Sequence, residues 1–178
     1  MKKIIAFGAS NSKQSINKIW AYYVSSLFEN FEVELLDLND YALPLFGVDL
    51  ENEIGLPENA VKFYNKIAEA DLLVISLAEH NGTYTTAWKN LMDWTSRHDG
   101  KFFQGKNMLL LSTSTGGRGG LGALEAGKVR FPIHGAKLLG SKNFPKFEEN
   151  FIAEKGIVNE ELKQEIDVLV QSVAEQVK

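Results

Sequence analysis

Three short stretches hold most of the residues that could do chemistry, and each follows an apolar run. The first, Ser10-Asn11-Ser12-Lys13-Gln14-Ser15-Ile16-Asn17, crowds hydroxyl and amide side chains ahead of an amphipathic segment. A helix beginning there offers unpaired N–H groups and a favourable dipole, while Ser and Asn add hydrogen bonds without a buried countercharge. That composition suits a phosphate cradle, with an ordinary helix cap at Ser15 as the plainer alternative. The second stretch is Ala78-Glu79-His80-Asn81-Gly82-Thr83. Asn81 and Gly82 tolerate tight or left-handed backbone, which lets a flat ligand come close to main-chain N–H and C=O groups. The third, Ser112-Thr113-Ser114-Thr115-Gly116-Gly117-Arg118-Gly119-Gly120, has four glycines among five consecutive residues. Such density costs chain entropy, so it signals either close backbone approach to a ligand or a flexible surface loop. Arg118 is placed to offset negative charge on a ligand, or else is solvated.

Other constellations fail on inspection. Gly122-Ala123-Leu124-Glu125-Ala126-Gly127-Lys128 matches most of a phosphate-binding P-loop, but Val129 stands where the Mg-binding hydroxyl belongs and no strand runs directly into it. The turn after the first apolar run lacks the three spaced glycines of a dinucleotide fingerprint. His80, His98 and His134 have neither pair spacing nor evident carboxylate partners, so no metal site is expected. No Ser, His and acid arrangement assembles from the sequence, although Ser and Asp are plentiful enough to permit one and a hydrolase stays open. The chain contains no cysteine, which removes disulfides, thiolate metal sites and cysteine nucleophiles and leaves redox chemistry to a bound group. Trp20, Trp88 and Trp94 are read as core or subunit-contact residues.

These loops need elements to hold them. Residues 4–8, 33–38, 71–77 and 108–112 are short, rich in Ile, Leu and Val, and do not alternate with polar residues, as expected of parallel strands buried on both faces. A weaker fifth strand is expected over 136–141. Helical patterns occupy 16–28, 57–70, 86–95 and 160–177. Right-handed crossovers fold this alternation into a doubly wound α/β sheet, with ligands beyond the carboxyl ends of the strands, where the three loops lie. With 178 residues, 44% of them hydrophobic, one domain spanning 1–178 is the expectation. The connection over 39–56 is long and is read as a mobile flap, a subunit contact or a solvated loop. A net charge of −4 argues against general nucleic-acid binding. The opening apolar run, 4–7, is too brief for a signal peptide or a membrane span, so a cytoplasmic protein without membrane contact is expected.

With these residues in place, the chain resembles the NADPH-dependent FMN reductase family, which includes small azo, quinone and chromate reductases. The family's first loop, Gly-Ser-x-Arg-x-x-Ser-x-Asn, is matched by Ser10, Ser15 and Asn17, with Ala9 for the Gly and Ser12 for the Arg. Its Pro-x-Tyr-Asn-Gly loop is matched by Ala78 to Gly82, with Ala78 for the Pro and His80 for the Tyr. A Lys-Asn-x-x-Asp-Trp stretch falls on Lys89, Asn90, Asp93 and Trp94, and Asn143-Phe144-Pro145-Lys146-Phe147 with Asn150-Phe151 also looks like the family. The resemblance implies a flavodoxin-like, five-stranded parallel sheet of order 2-1-3-4-5 in a three-layer sandwich. It further implies FMN held by Ser10, Ser12, Ser15, Ile16, Asn17, Glu79, His80, Asn81, Gly82, Thr83, Ser114, Thr115, Gly116, Gly117 and Arg118. Lys89, Asn90, Asp93 and Trp94 would flank the flavin ring and its helix. The missing Arg removes a charge-assisted phosphate contact, for which Lys13 or Lys18 are the substitutes at hand. The implied activity is NADPH- or NADH-dependent reduction of a quinone, azo compound, free flavin or similar small acceptor, in a homodimer or homotetramer. A flavodoxin-type electron carrier without nicotinamide turnover is the alternative.

Overall fold

The structure is a computed structural model and describes residues 1–177. Five parallel strands form the central sheet: β1 (Lys2–Ala9), β2 (Phe31–Leu36), β3 (Leu72–Leu77), β6 (Asn107–Thr113) and β7 (Lys137–Phe144), in spatial order β2-β1-β3-β6-β7. Taken in chain order, these are the expected 2-1-3-4-5. Two small antiparallel hairpins, β4 (Glu79–His80) with β5 (Thr83–Tyr84) and β8 (Phe151–Ile152) with β9 (Gly156–Ile157), stand outside it. The helices are α1 (Ile16–Ser26), α2 (Val48–Ile54), α3 (Glu58–Ala68), α4 (Thr86–His98), α5 (Leu121–Arg130), α6 (Phe147–Asn150) and α7 (Glu160–Gln176), with 3-10 turns at Leu38–Tyr41 and Phe131–His134.

Alternate residues of the buried strands serve opposite faces of the sheet, which is why β1, β3 and β6 show no polar alternation. Ile5, Phe7, Leu73, Ile75 and Leu110 pack with Phe63 and Ile67 of α3, Trp88 and Leu91 of α4, and Leu124 of α5. On the other face, Ile4, Ala6, Val74, Leu109 and Leu111 pack with Trp20 and Val24 of α1 and Ile166, Val170 and Val173 of α7. The result is three layers. All three tryptophans are fully buried, which settles them as core residues of this chain.

Several boundaries differ from the sequence expectation. The second strand ends at Leu36 and not at residue 38, because Glu32 and Glu34 belong to this half-covered edge strand and Leu38 opens the 3-10 turn. The fifth strand runs on to Phe144. The P-loop look-alike lies inside α5, a continuous helix whose Gly127 abuts the sheet: a Cβ there would sit 2.8 Å from Leu77 and 2.9 Å from Leu110. The 39–56 connection is not an unanchored flap, since it contains α2 and is tied to α4 by the hydrogen bonds described below.

One contact sets the seat of α1. A Cβ on Gly8 would lie 2.3 Å from the Lys18 backbone nitrogen and 2.7 Å from the Asn17 carbonyl carbon, so the first turn of the helix rests directly on the main chain of β1. Both neighbours are backbone and cannot swing aside. Gly8→Ala is expected to cost about 2–3 kcal/mol by overpacking, which in a chain of this size lowers Tm by about 5–10 °C. Gly47 meets nothing within 4 Å, and Gly47→Ala should stay within about 0.5 kcal/mol. Paired thermal melts check both; equal melting temperatures for the two variants would contradict the contact.

Candidate functional site

At the carboxyl ends of β1, β3 and β6 the chain forms a cleft of about 260 Å³. Its lining combines Ser10, Ser12, Gln14, Ser15, Ile16 and Asn17 from the first loop, Ala78, Glu79 and His80 from the second, and Thr113, Ser114 and Thr115 from the third. This is the switch point of a doubly wound sheet, where the crossovers leave in opposite directions and the loops part.

The first loop is built to donate. Ser10 Oγ accepts the Ser12 N–H at 3.1 Å and Ser15 Oγ accepts the Lys18 N–H at 3.2 Å, so each hydroxyl has spent acceptor capacity on the backbone and keeps its own proton for a ligand. Ile16 and Asn17 open α1, and their N–H groups find no acceptor among the described residues. Two hydroxyl protons and two amide protons at a positive helix end match the oxygens of a phosphate. Lys18 pairs with Asp37 and is not the substitute cation for the missing Arg. Lys13 is exposed and lies beside the cleft in sequence.

Asn17 has two roles in two parts of the residue. Its side chain is buried, with Nδ2 donating to Thr113 O at 3.1 Å and Oδ1 accepting from Thr113 N at 3.1 Å and from Ser76 Oγ at 2.7 Å. It therefore ties the first turn of α1 to the ends of β3 and β6, and only its backbone N–H remains for a ligand. Thr85 makes a similar tie: it caps α4 through Trp88 N and donates its hydroxyl to Ala9 O at 2.9 Å.

The second loop is the β4–β5 hairpin. Asn81 and Gly82 have φ of 52° and 81°, the left-handed pair that a two-residue Asn-Gly turn requires. The hairpin leans on α5. Glu79 accepts from Ala123 N at 3.0 Å, an acid at a helix N-terminus, so its carboxylate is committed and the loop can offer a cleft ligand its main chain. A Cβ on Gly122 would lie 2.5 Å from Gly82 O and 2.7 Å from Glu79 Oε2, which leaves this helix start no room for a side chain. Tyr84 stacks on Phe131 beneath the hairpin at 5.9 Å, and burial pushes its hydroxyl up to about 12.

The glycine-rich loop is anchored along its length. Ser112 Oγ donates to Gly119 O, Lys146 N to Gly116 O, Phe147 N to Ser114 O and Asn143 Nδ2 to Arg118 O. Gly119 (φ 56°) and Gly120 (φ 74°) take left-handed backbone, and a Cβ on Gly119 would lie 2.7 Å from the Phe144 carbonyl. Gly116, Gly117 and Arg118 are exposed beyond the cleft. Of the expected site residues, the cleft thus gathers Ser10, Ser12, Ser15, Ile16, Asn17, Glu79, His80, Ser114 and Thr115. Asn81, Gly82, Thr83, Gly116, Gly117 and Arg118 do not line it.

A second cavity, about 450 Å³, adjoins the first and shares His80 as a wall. It lies between α4 and residues 38–45. Asn90 and Trp94 do not line the first cleft; they build this one. Asn90 Oδ1 accepts from Phe46 N at 2.8 Å, its Nδ2 donates to Pro44 O at 3.0 Å, and Trp94 Nε1 donates to the same carbonyl at 2.8 Å. The neighbours of Asn90 and Trp94 in the same motif, Lys89 and Asp93, form an exposed ion pair at 2.6 Å. Gln14, Ala78 and Thr113 line the cleft without being among the expected residues, and the only local signal of the second cavity in the sequence is the long connection before α3.

Because Asn17 is buried and saturated, Asn17→Ala leaves the Ser76 hydroxyl and both main-chain groups of Thr113 without partners. The expected cost is about 3 kcal/mol in urea unfolding, several times that of Asn59→Ala, whose one side-chain bond, to Ala42 O, is exposed.

Comparison with known proteins gives the family. The sequence pattern of the NADPH-dependent FMN reductase family matches residues 2–148. A 2-hydroxy-1,4-benzoquinone reductase from a Burkholderia species is 34% identical over 119 residues, 66% of this chain and 63% of that protein. An NADPH azoreductase from a Bacillus species is 29% identical over 70% of this chain and 65% of its own. The chain thus spans slightly less than two thirds of the length of these curated relatives. Among solved structures, the flavoenzyme NAD(P)H:(acceptor) oxidoreductase FerB from Paracoccus denitrificans superposes with a TM-score of 0.79 over 99% of this chain and 97% of that one, at 23% identity, a likeness of fold. The family match covers most of the chain and includes all three strand-end loops, so this protein belongs to the NADPH-dependent FMN reductase family.

Proposed function

We propose that this protein is an FMN-dependent oxidoreductase that takes electrons from NADPH or NADH and passes them to a small acceptor. The observation that carries the reading is the donor set at the start of α1: the hydroxyl protons of Ser10 and Ser15 and the N–H groups of Ile16 and Asn17, converging where β1, β3 and β6 end. These would hold the FMN phosphate. Ala78 to His80 and Thr113 to Thr115 would offer main-chain and hydroxyl groups to the rest of the cofactor, with the Glu79 carboxylate held against the start of α5 by Ala123 N.

Bound FMN supplies the two-electron chemistry that no side chain here provides. The protein's part is to bind, orient and shield. Asn17 fixes the cradle to the sheet, the hairpin and the glycine-rich loop hold rigid walls, and the cavity behind His80 gives a second reactant room beside the cofactor. In balance, reduced nicotinamide gives up a hydride and the acceptor gains two electrons and two protons, the second proton coming from solvent. No catalytic acid or base is assigned.

That cavity favours a small-molecule acceptor over the protein partner of an electron carrier. Exposed Leu45 and Val48 beside it support pairing of the chain into a homodimer or homotetramer. A single FMN-binding domain in the cytoplasm fits the absence of cysteine, and no helix among the described residues is long and apolar enough to cross a membrane.

Purified protein supplied with FMN should oxidise NADPH or NADH rapidly when 1,4-benzoquinone is present. FMN retention without nicotinamide oxidation would instead support the electron carrier. Restoring the family cation is a second test: Ser12→Arg adds a charge-assisted phosphate contact and should tighten FMN about tenfold. Fluorescence-quenching titration reads this, with riboflavin, which lacks the phosphate, showing no gain.

A further inference from the structure

The 450 Å³ cavity between α4 and residues 38–45 has a lining without a single Lys, Arg, Asp or Glu. Leu38, Leu43, Leu45 and Leu91 supply apolar walls, and the size is that of a small-ligand site. Apart from the His80 ring, its polar groups are neutral or already used. Thr85 bonds Ala9 O, Asn39 donates to Asp37, and Asn90 is saturated by residues 43–46. The Tyr41 hydroxyl has no partner among the described residues, and burial raises its pKa, so it stays a neutral donor. Of the cations near in sequence, Lys18 pairs with Asp37 and Lys89 with Asp93, while Lys13, two residues from Asn11, is exposed and lies outside the lining. The walls are preformed, because Asn90 and Trp94 lock the 43–46 segment through four hydrogen bonds.

We infer that this cavity is the acceptor site and that it selects uncharged planar aromatic carbonyl compounds, such as unsubstituted quinones, against acceptors of the same ring system carrying sulfonate or carboxylate. The inference rests on the flavin reading above, which places the cofactor across the shared His80 wall. Physically, an anion entering this cavity gives up water and meets no Lys or Arg in the lining, whereas a quinone loses little hydration and finds apolar walls with a hydroxyl donor for its carbonyl. Reduction there is balanced as stated: the quinone takes a hydride equivalent and one solvent proton and leaves as the hydroquinone, while reduced nicotinamide is oxidised.

The test compares 1,4-naphthoquinone with 1,4-naphthoquinone-2-sulfonate on the FMN-loaded protein, by direct binding in equilibrium dialysis without nicotinamide and by steady-state kinetics. The neutral quinone should bind about tenfold tighter or more, and its kcat/KM should lead by a similar factor. Ala42→Lys, at an exposed position of extended backbone on the cavity wall, should bring the sulfonate to within a few-fold of the neutral compound. Ala87→Leu, which fills the same cavity from α4, should weaken both ligands while FMN affinity is unchanged, since Ala87 does not line the cofactor cleft. Equal binding of the two quinones, or indifference of the ratio to Ala42→Lys, would overturn the inference. Failure to retain FMN at all would instead overturn the underlying flavin reading, and the dialysis with FMN alone separates the two outcomes.

Discussion

The side chain of Asn17 is the interaction on which the site depends. A parallel sheet leaves the ends of β3 and β6 as separate edges of a crevice, and nothing in the strands' own ladder fixes a helix above them. Asn17 bridges that gap with three buried hydrogen bonds, two to the main chain of Thr113 and one to Ser76. Because the partners are buried, an unmade bond there would cost more than a made one contributes, so the arrangement is held to one geometry. Gly8 complements it by letting the same turn of α1 touch the backbone of β1. The unpaired N–H groups of Ile16 and Asn17 are thereby aimed into the crevice by the core beneath them.

The rest of the site follows from equally indirect supports. Glu79 stabilises α5 and in doing so holds the hairpin that forms one wall; Ser112, Asn143 and the backbone of Lys146 and Phe147 hold the glycine-rich loop that forms another. Asn90 and Trp94 bind the 43–46 segment to α4 at the edge of a second space. Residues that a family pattern associates with the cofactor thus divide into those that present a proton to the cleft and those that hold the presenters. The division matters chemically, since backbone and hydroxyl donors fixed in advance need no rearrangement when charge develops on a ligand.

What could be read from the sequence was whatever depends on near neighbours. The buried strands were legible because apolar runs covered on both faces do not alternate, and the Asn81-Gly82 turn because its backbone preference is local. The edge strand was misplaced by two residues, since Glu32 and Glu34 interrupt its pattern. Helix α5 escaped notice because Gly122 and Gly127 lower helix propensity, yet close packing on Gly82, Glu79, Leu77 and Leu110 requires them. The roles of Asn17, Glu79 and Asn90 were hidden for a different reason. Their partners lie 96, 44 and 44 residues away, and no local pattern shows that a polar side chain is consumed by a distant backbone. The same reason made 39–56 look like a free connection.

The family assignment and the donor geometry converge on one central claim, that a phosphate-bearing flavin is held by the first turn of α1. Amide chemical-shift mapping in 15N-labelled protein tests it most directly. Titration with FMN should move the Ile16 and Asn17 amides most, with Ser10 and Ser15 beside them, and riboflavin should move the hairpin residues while leaving Ile16 and Asn17 nearly in place. Equal shifts of Ile16 and Asn17 with both flavins, or the largest shifts on a distant element such as α7, would contradict the account.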